Sequence, residues 1–332
     1  MPEEAIDHID FEDLNDRALS KPLVSHIHTA DPSAHVFNGK IYIYPSHDID
    51  AGEAFDDLGS HFAMEDYHVF SMDDINGEII DHGVALHVND VPWAERQMWA
   101  PDAAHKNGKY YLFFPAKDYE GIFRIGVAVS DSPTGPFKPQ PDAIKNSFSI
   151  DPAVYEDNDG SYYMYFGGLW GGQLQRWRNG SFNGEQPDSP TAHLPEDHEP
   201  SLNCKMAKLT DDLLQFSESP KDVVILDEHG NPILAGDNER RFFEGPWVHK
   251  YNDKYFNELS LYLNIKWPEK LNTIEATVGL IPVFPRNLDD FSFSWQYTDY
   301  SELTKEEKRI FYNQLEYYST LNDIKIDIIE DK

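Results

Sequence analysis

Along the chain an apolar pair, a polar turn carrying Asn or Asp, and a short aromatic strand recur as a unit. The first copy spans residues 34–44 and turns at Asn38-Gly39; the second spans 103–113 and turns at Asn107-Gly108. The third, 153–165, turns through Asp157-Asn158-Asp159-Gly160, and the fourth, 247–256, through Asn252-Asp253. Asn-Gly and Asp-Gly between alternating strands mark tight hairpins, because these residues tolerate the positive φ that such turns require. The early copies run on into further strands, at 124–130 before the turn Ser132-Pro133-Thr134-Gly135-Pro136 and at 67–71 before Asp73-Asp74. Repeated units of about four strands predict the blades of a β-propeller, with strands starting near Val36, Lys109, Ser161 and Lys254 in separate sheets.

The turns at Gly39, Gly108 and Gly160 lie 69 and 52 residues apart, so loops of unequal length join the strands. The longest insert is 177–200, rich in Asn, Gly, Pro, Asp and His. The repeat fails after about Phe256, and no fifth copy follows. Thr304-Lys305-Glu306-Glu307 instead has the form of a capping box, which predicts a helix through Tyr312, Leu315 and Tyr318 ahead of an acidic end. The expected division is an N-terminal arm over 1–20, an all-β propeller over 21–300 with its last part atypical, and a helical, acidic tail over 301–332.

Composition narrows the function. Acidic residues outnumber basic ones 59 to 27, a net charge of −32. That field repels phosphate backbones and anionic lipid, so neither nucleic acid nor a membrane surface is an expected partner. A neutral small substrate such as a sugar is compatible with it. The sequence carries no signal for an oligomeric state. Cys204 is the single cysteine, so no intrachain disulfide forms. The first residues are acidic and lack a basic segment followed by an apolar run, and no apolar stretch nears the ~20 residues of a membrane span. A cytoplasmic location is the expectation.

Three carboxylates stand where strands of the repeat begin. Asp31 precedes Pro32 ahead of the first copy, and Asp151 precedes Pro152 ahead of the third. A following proline disfavours helical backbone at the Asp and predicts an extended conformation there. Glu244 lies between Phe243 and Gly245-Pro246-Trp247 at the start of the fourth copy. Apolar neighbours favour its proton-holding form, the bias a general acid needs near neutral pH. Carboxylates around one cavity suit glycoside hydrolysis, one protonating the leaving oxygen and another activating water. Phe37, Trp93, Trp99, Trp170 and Trp247 supply rings able to stack on sugar faces. The 14 histidines show no metal-ligand spacing beyond the alternating His26-Ile27-His28, and no metal ligand is expected from them.

The chain resembles glycoside hydrolase family 43. The resemblance rests on Ala30-Asp31-Pro32, Met98-Trp99-Ala100-Pro101-Asp102, Ser130-Asp131-Ser132-Pro133-Thr134-Gly135-Pro136-Phe137, Ile150-Asp151-Pro152 and Phe243-Glu244-Gly245-Pro246, in the family's order, over about residues 22–255. It implies a five-bladed β-propeller and an inverting mechanism, with Asp31 as general base, Glu244 as general acid, and Asp151 orienting the acid and tuning its pKa. Members that look like this one remove xylose from short xylo-oligosaccharides, and some also cleave α-L-arabinofuranosides. The family's fifth blade usually brings a His to a central calcium and an Arg to the sugar pocket. His249 is the last histidine here, so residues 256–332 supply no such His. They are either a variant ending or the product of a shifted reading frame. The alternative function is a catalytically impaired, carbohydrate-binding propeller.

Overall fold

The structure is a computed structural model describing residues 22–52, 59–227, 229–251, 254–260, 282–283 and 294–295. These fall in two units, 26–279 and a second made of 1–25 with 280–332. The second contributes a two-residue antiparallel ladder, Pro282–Val283 with Ser294–Trp295. The expected helix and acidic tail after residue 300 lie outside the described residues, as does the turn at Asn252-Asp253.

The larger unit is all-β and is built from sheets that follow one another along the chain. The first is the antiparallel meander β1 (His28–Phe37), β2 (Lys40–Asp48), β3 (Asp66–Met72) and β4 (Ile80–His87). In the second, β5 (Ala94–Arg96) and β6 (Asp102–Lys106) both pair with β7 (Lys109–Asp118), followed by β8 (Phe123–Ser130) and β9 (Lys138–Pro139). The third is β10 (Ala153–Glu156), β11 (Tyr162–Phe166), β12 (Cys204–Lys208) and β13 (Lys221–Val223). A hairpin of β14 (Glu244–Tyr251) and β15 (Lys254–Ser260) follows. The strands expected near Val36, Lys109, Ser161 and Lys254 therefore do lie in four separate sheets.

The hairpin turns form for the reason the sequence indicates. Asn38 and Gly39 have φ of 52° and 79°, and Asn107 and Gly108 have 52° and 75°, so both pairs make the doubly left-handed turn that matches strand twist.

The sheets stack through strands buried on both faces. Along β7, Tyr110, Leu112, Phe114 and Ala116 point into a core shared with the first sheet, while Tyr111 and Phe113 point into a core shared with the third. The period of two thus distributes one strand between two cores. Gly126 on β8 makes room for one contact, since a Cβ there would lie 2.6 Å from Trp93 and 2.7 Å from Phe114, whose rings stack at 5.9 Å. The insert after β11 folds around a single buried cation. The Arg176 guanidinium donates to the carbonyls of Asn183, Glu185, Gln186, Pro187 and Ser189.

The leading strands of the four sheets lie side by side, β1 against β6, β6 against β10, and β10 against β14. Their junction is polar. Asp102, 1% exposed at the start of β6, accepts from His35 Nε2 on β1 at 2.6 Å and from Val154 N on β10 at 2.6 Å. The His35 ring stacks on Phe37 at 5.5 Å and meets Trp247 of β14 at 5.7 Å. Burial works against a charge on His35, but the Asp102 carboxylate and its hydrogen bond outweigh it, and the pKa is raised.

Asp102→Ala leaves Val154 N and His35 without their acceptor in a closed site, and is expected to cost roughly 2–4 kcal/mol. A raised histidine pKa stabilises fully below its unfolded value of about 6.5 and is lost as pH rises through the folded value. Urea denaturation should therefore find a larger cost at pH 6 than at pH 9; an equal cost would mean that Asp102 does not raise the His35 pKa.

Candidate active site

Asp31, Asp151 and Glu244 each sit at an irregularity where a leading strand begins. The β1–β2 register slips between Ala30 and Ser33, around Asp31-Pro32, and the β14–β15 register slips between Glu244 and Trp247, around Gly245-Pro246. Asp151 lies just ahead of β10. Bulges of this kind re-aim a side chain. Asp31 and Asp151 have φ of +45° and +57°, so the extended backbone expected from the following prolines is not what forms. Both take the left-handed region, uncommon for a residue with a side chain and concentrated at functional sites. The proline rule describes a local clash, and the surrounding contacts override it.

For Asp151 these contacts are visible. Ser149 Oγ donates to Gly172 O at 2.6 Å and accepts from Gly168 N at 2.9 Å, while Gly167 N donates to Ile150 O at 2.7 Å. The segment 149–151 is thereby laced to 167–172. Leu169 N in turn donates to Phe243 O at 2.9 Å, next to Glu244. Gly168 is required in this lacing, because a Cβ would sit 2.6 Å from Ile150 and 3.2 Å from the Glu244 Cβ. Gly245 N closes the frame by donating to Asp151 Oδ2 at 3.0 Å.

The structure brings the three carboxylates within electrostatic reach of one another. Burial raises the Glu244 pKa to about 7, with the Asp31 charge adding to it. Burial also pushes Asp151 well above the usual carboxylate range, followed by the charges of Glu244 and Asp31; the Gly245 N–H works the other way. Asp31 is raised by burial and then by Asp48. A cluster of this kind holds protons near neutral pH and presents an acid beside a carboxylate.

Residues 20–260 match the sequence model of the glycosyl hydrolases family 43. The chain belongs to that family. A xylosidase/arabinosidase of Bacteroides ovatus is 57% identical over 235 residues, 70% of this chain and 70% of that protein. Xylosidase/arabinosidase 43A of Humicola insolens is 57% identical over 242 residues, covering 71% and 73%. Among solved structures, a family 43 β-xylosidase/α-arabinofuranosidase from a compost microbial metagenome, in complex with xylotriose and calcium-free, is 62% identical, covers 72% of each chain and has a TM-score of 0.69. The family 43 enzyme of Xanthomonas citri complexed with xylotriose is 51% identical over 75% of this chain and 71% of that one, with a TM-score of 0.68.

The aromatic residues singled out in the sequence of this family 43 chain have different settings. Phe37 and Trp93 are half-buried and pack on the core between the first two sheets. Trp99 is anchored by Nε1 to Phe62 O at 2.8 Å and meets Phe123 at 4.6 Å. Trp170 is 37% exposed, at φ +54°, with its ring edge-on to Phe243 at 4.9 Å, one residue from Glu244. It borders a pocket of about 230 Å³ whose other walls include Leu194, Asp197, Leu202, Asn238 and Arg241. The three carboxylates do not line that pocket.

Sequence reading missed Asp102 and His35, which carry the junction of the leading strands. It also missed the grouping of His47, Asp66 and His68, whose donor atoms lie within 4.8 Å of one another. Calcium, which family 43 implies, calls for six to eight oxygen ligands. Among the described residues this group has the only clustered donors of its kind, two nitrogens and one carboxylate, which do not suit calcium.

The raised carboxylates make a stability prediction. The folded chain keeps protons that the unfolded chain releases near pH 4, so stability falls as pH rises from there to about 7, the Glu244 value. Above that the cost of the buried charge is present in full. Glu244→Gln should therefore be more stable than wild type at pH 8, by roughly 1–3 kcal/mol, with the difference fading towards pH 4. Thermal melts at the two pH values test this, and a variant less stable than wild type at pH 8 would contradict it.

Proposed function

We propose that this chain is an inverting glycosidase that removes xylose from the ends of short β-1,4-xylo-oligosaccharides and also accepts α-L-arabinofuranosides. The observation that carries the reading is Glu244, half-buried and within electrostatic reach of Asp31, with its pKa raised to about 7. In this reading the Glu244 carboxyl donates its proton to the glycosidic oxygen as the bond to the anomeric carbon breaks. Asp31, as carboxylate, accepts a proton from the water that attacks that carbon from the opposite face, and the product is inverted. Asp151 acts as a positioning residue; through Gly245 N it fixes the bulge that aims Glu244. Trp99 and Trp170 are the rings assigned to sugar contact, Trp170 packed on Phe243 beside Glu244.

Substrate choice is supported by the relatives. Two at 57% identity carry the name xylosidase/arabinosidase, and the β-xylosidase of Xylanibacter ruminicola is 50% identical over 229 residues. The fold assigned with this function is the five-bladed propeller. Three successive antiparallel sheets, a two-stranded fourth, and leading strands set side by side support it.

A second reading has a specific basis, because the family match ends at residue 260 of 332. In it the chain binds xylo-oligosaccharides without turning them over. Rates on an aryl β-xyloside and on xylobiose separate the two. Glu244→Gln should slow xylobiose by about 10²–10⁴-fold and the aryl glycoside far less, since a good leaving group scarcely needs the proton. Asp31→Asn should slow both. An unchanged ratio of the two rates in Glu244→Gln would remove Glu244 as the acid, and wild-type binding without turnover would favour the second reading.

A further inference from the structure

The face of β3 opposite the core carries a group of side chains that the hydrolytic reading leaves unused. Tyr67 and Val69 point into the core between the first two sheets, and Asp66 and His68 point the other way. The β2–β3 register pairs Ile43 with Phe70, and continuing it sets His47 opposite Asp66. His47 Nδ1 lies 2.9 Å from Asp66 Oδ1, and His68 Nε2 lies 3.9 Å from that same oxygen. The two imidazoles meet edge to face at 5.1 Å. All three side chains keep some access to solvent, at 19%, 13% and 13% exposure.

The orientation of His68 is set from behind. Its Nδ1 lies 3.0 Å from Asp81 Oδ1, and the same carboxylate is held by Gly83 N at 2.7 Å and His26 Nε2 at 2.6 Å. An ionised carboxylate can only accept, so the proton of a neutral His68 ring sits on Nδ1. Nε2 then turns its lone pair towards Asp66, another acceptor, at a separation too long for a hydrogen bond. A cation placed between that lone pair and the carboxylate would be held by both. A carboxylate behind a histidine, fixing tautomer and ring direction, is the support that metal-binding histidines use.

We propose that His47 Nδ1, Asp66 Oδ1 and His68 Nε2 form a binding site for a divalent transition metal ion of the zinc class, with Asp81 as its supporting carboxylate. Two imidazole nitrogens and one carboxylate oxygen favour zinc, cobalt or nickel over calcium or magnesium, which prefer oxygen alone. Tetrahedral zinc holds such donors at 2.0–2.2 Å, which places them roughly 3.3 Å from one another. The present spread, up to 4.8 Å, closes with small side-chain rotations. His47 enters with its proton moved from Nδ1 to Nε2, and a water fills the fourth position. Such an ion clamps β2 to β3, and the inference does not depend on the hydrolytic reading.

The test is a crystal of the full wild-type chain soaked in zinc chloride and measured on both sides of the zinc absorption edge. An anomalous peak within bonding distance of His47, Asp66 and His68 is the expected result. No peak there, or zinc only elsewhere on the surface, overturns the proposal. In solution, calorimetry with zinc should lose one equivalent in His68→Gln and none in His198→Gln. Asp81→Asn should weaken that equivalent by about 10–100-fold. Equal zinc binding by wild type and His68→Gln would also overturn it, and the crystal result decides should His68→Gln fail to fold.

Discussion

Four sheets that follow one another along the chain meet at one buried carboxylate. Asp102 accepts from β1 through His35 and from β10 through the backbone of Val154, and the same His35 ring rests on Trp247 of β14. A buried charge is tolerated only where partners replace its hydration, and here the partners come from strands 67 and 52 residues away. The cost of desolvating Asp102 thus becomes a constraint on where the leading strands lie. With those strands side by side, the irregular residues that begin three of them are brought to one place.

The placing has an electrostatic consequence. Neighbouring carboxylates, two of them partly withdrawn from water, resist ionising together, and the protons remain where charge is hardest to hold. Asp151 is the most enclosed and is tied to Gly245 N; Glu244 retains some exposure and has its pKa raised to about 7; Asp31, the most exposed of the three, is raised as well. An acid and a carboxylate acceptor in one site therefore follow from packing and mutual repulsion. The lacing of 149–151 to 167–172 fixes this geometry at the expense of local strain, with positive φ at Ser149 and Asp151 and no space for a side chain at Gly168.

Much of this was legible in the sequence. Asn38-Gly39 and Asn107-Gly108 specify their turns because the conformation is a property of those two residues. Asp31, Asp151 and Glu244 stood out through the Pro or Gly-Pro that follows them and through recurring at comparable places in the repeat. Their backbone was not legible, since the rule for residues before proline points to extended geometry and contacts distant in sequence impose the opposite. Asp102 looks like the other two Asp residues near a proline, and only its partners on β1 and β10 distinguish a structural carboxylate from a reactive one. His47, Asp66 and His68 escaped notice for a related reason: the donors come from two strands, and ligand spacing is recognisable only within one segment.

The central claim is that burial and the neighbouring Asp31 charge together raise the Glu244 pKa to about 7. A carbon-13 NMR titration of the Glu244 side-chain carboxyl, in wild type and in Asp31→Asn, measures this directly. The account predicts a wild-type midpoint of about 7. In Asp31→Asn, with one charge removed but burial kept, the midpoint should fall and yet remain above the ordinary value of about 4.3. A wild-type midpoint near 4.3, or one that Asp31→Asn leaves unmoved, would contradict it.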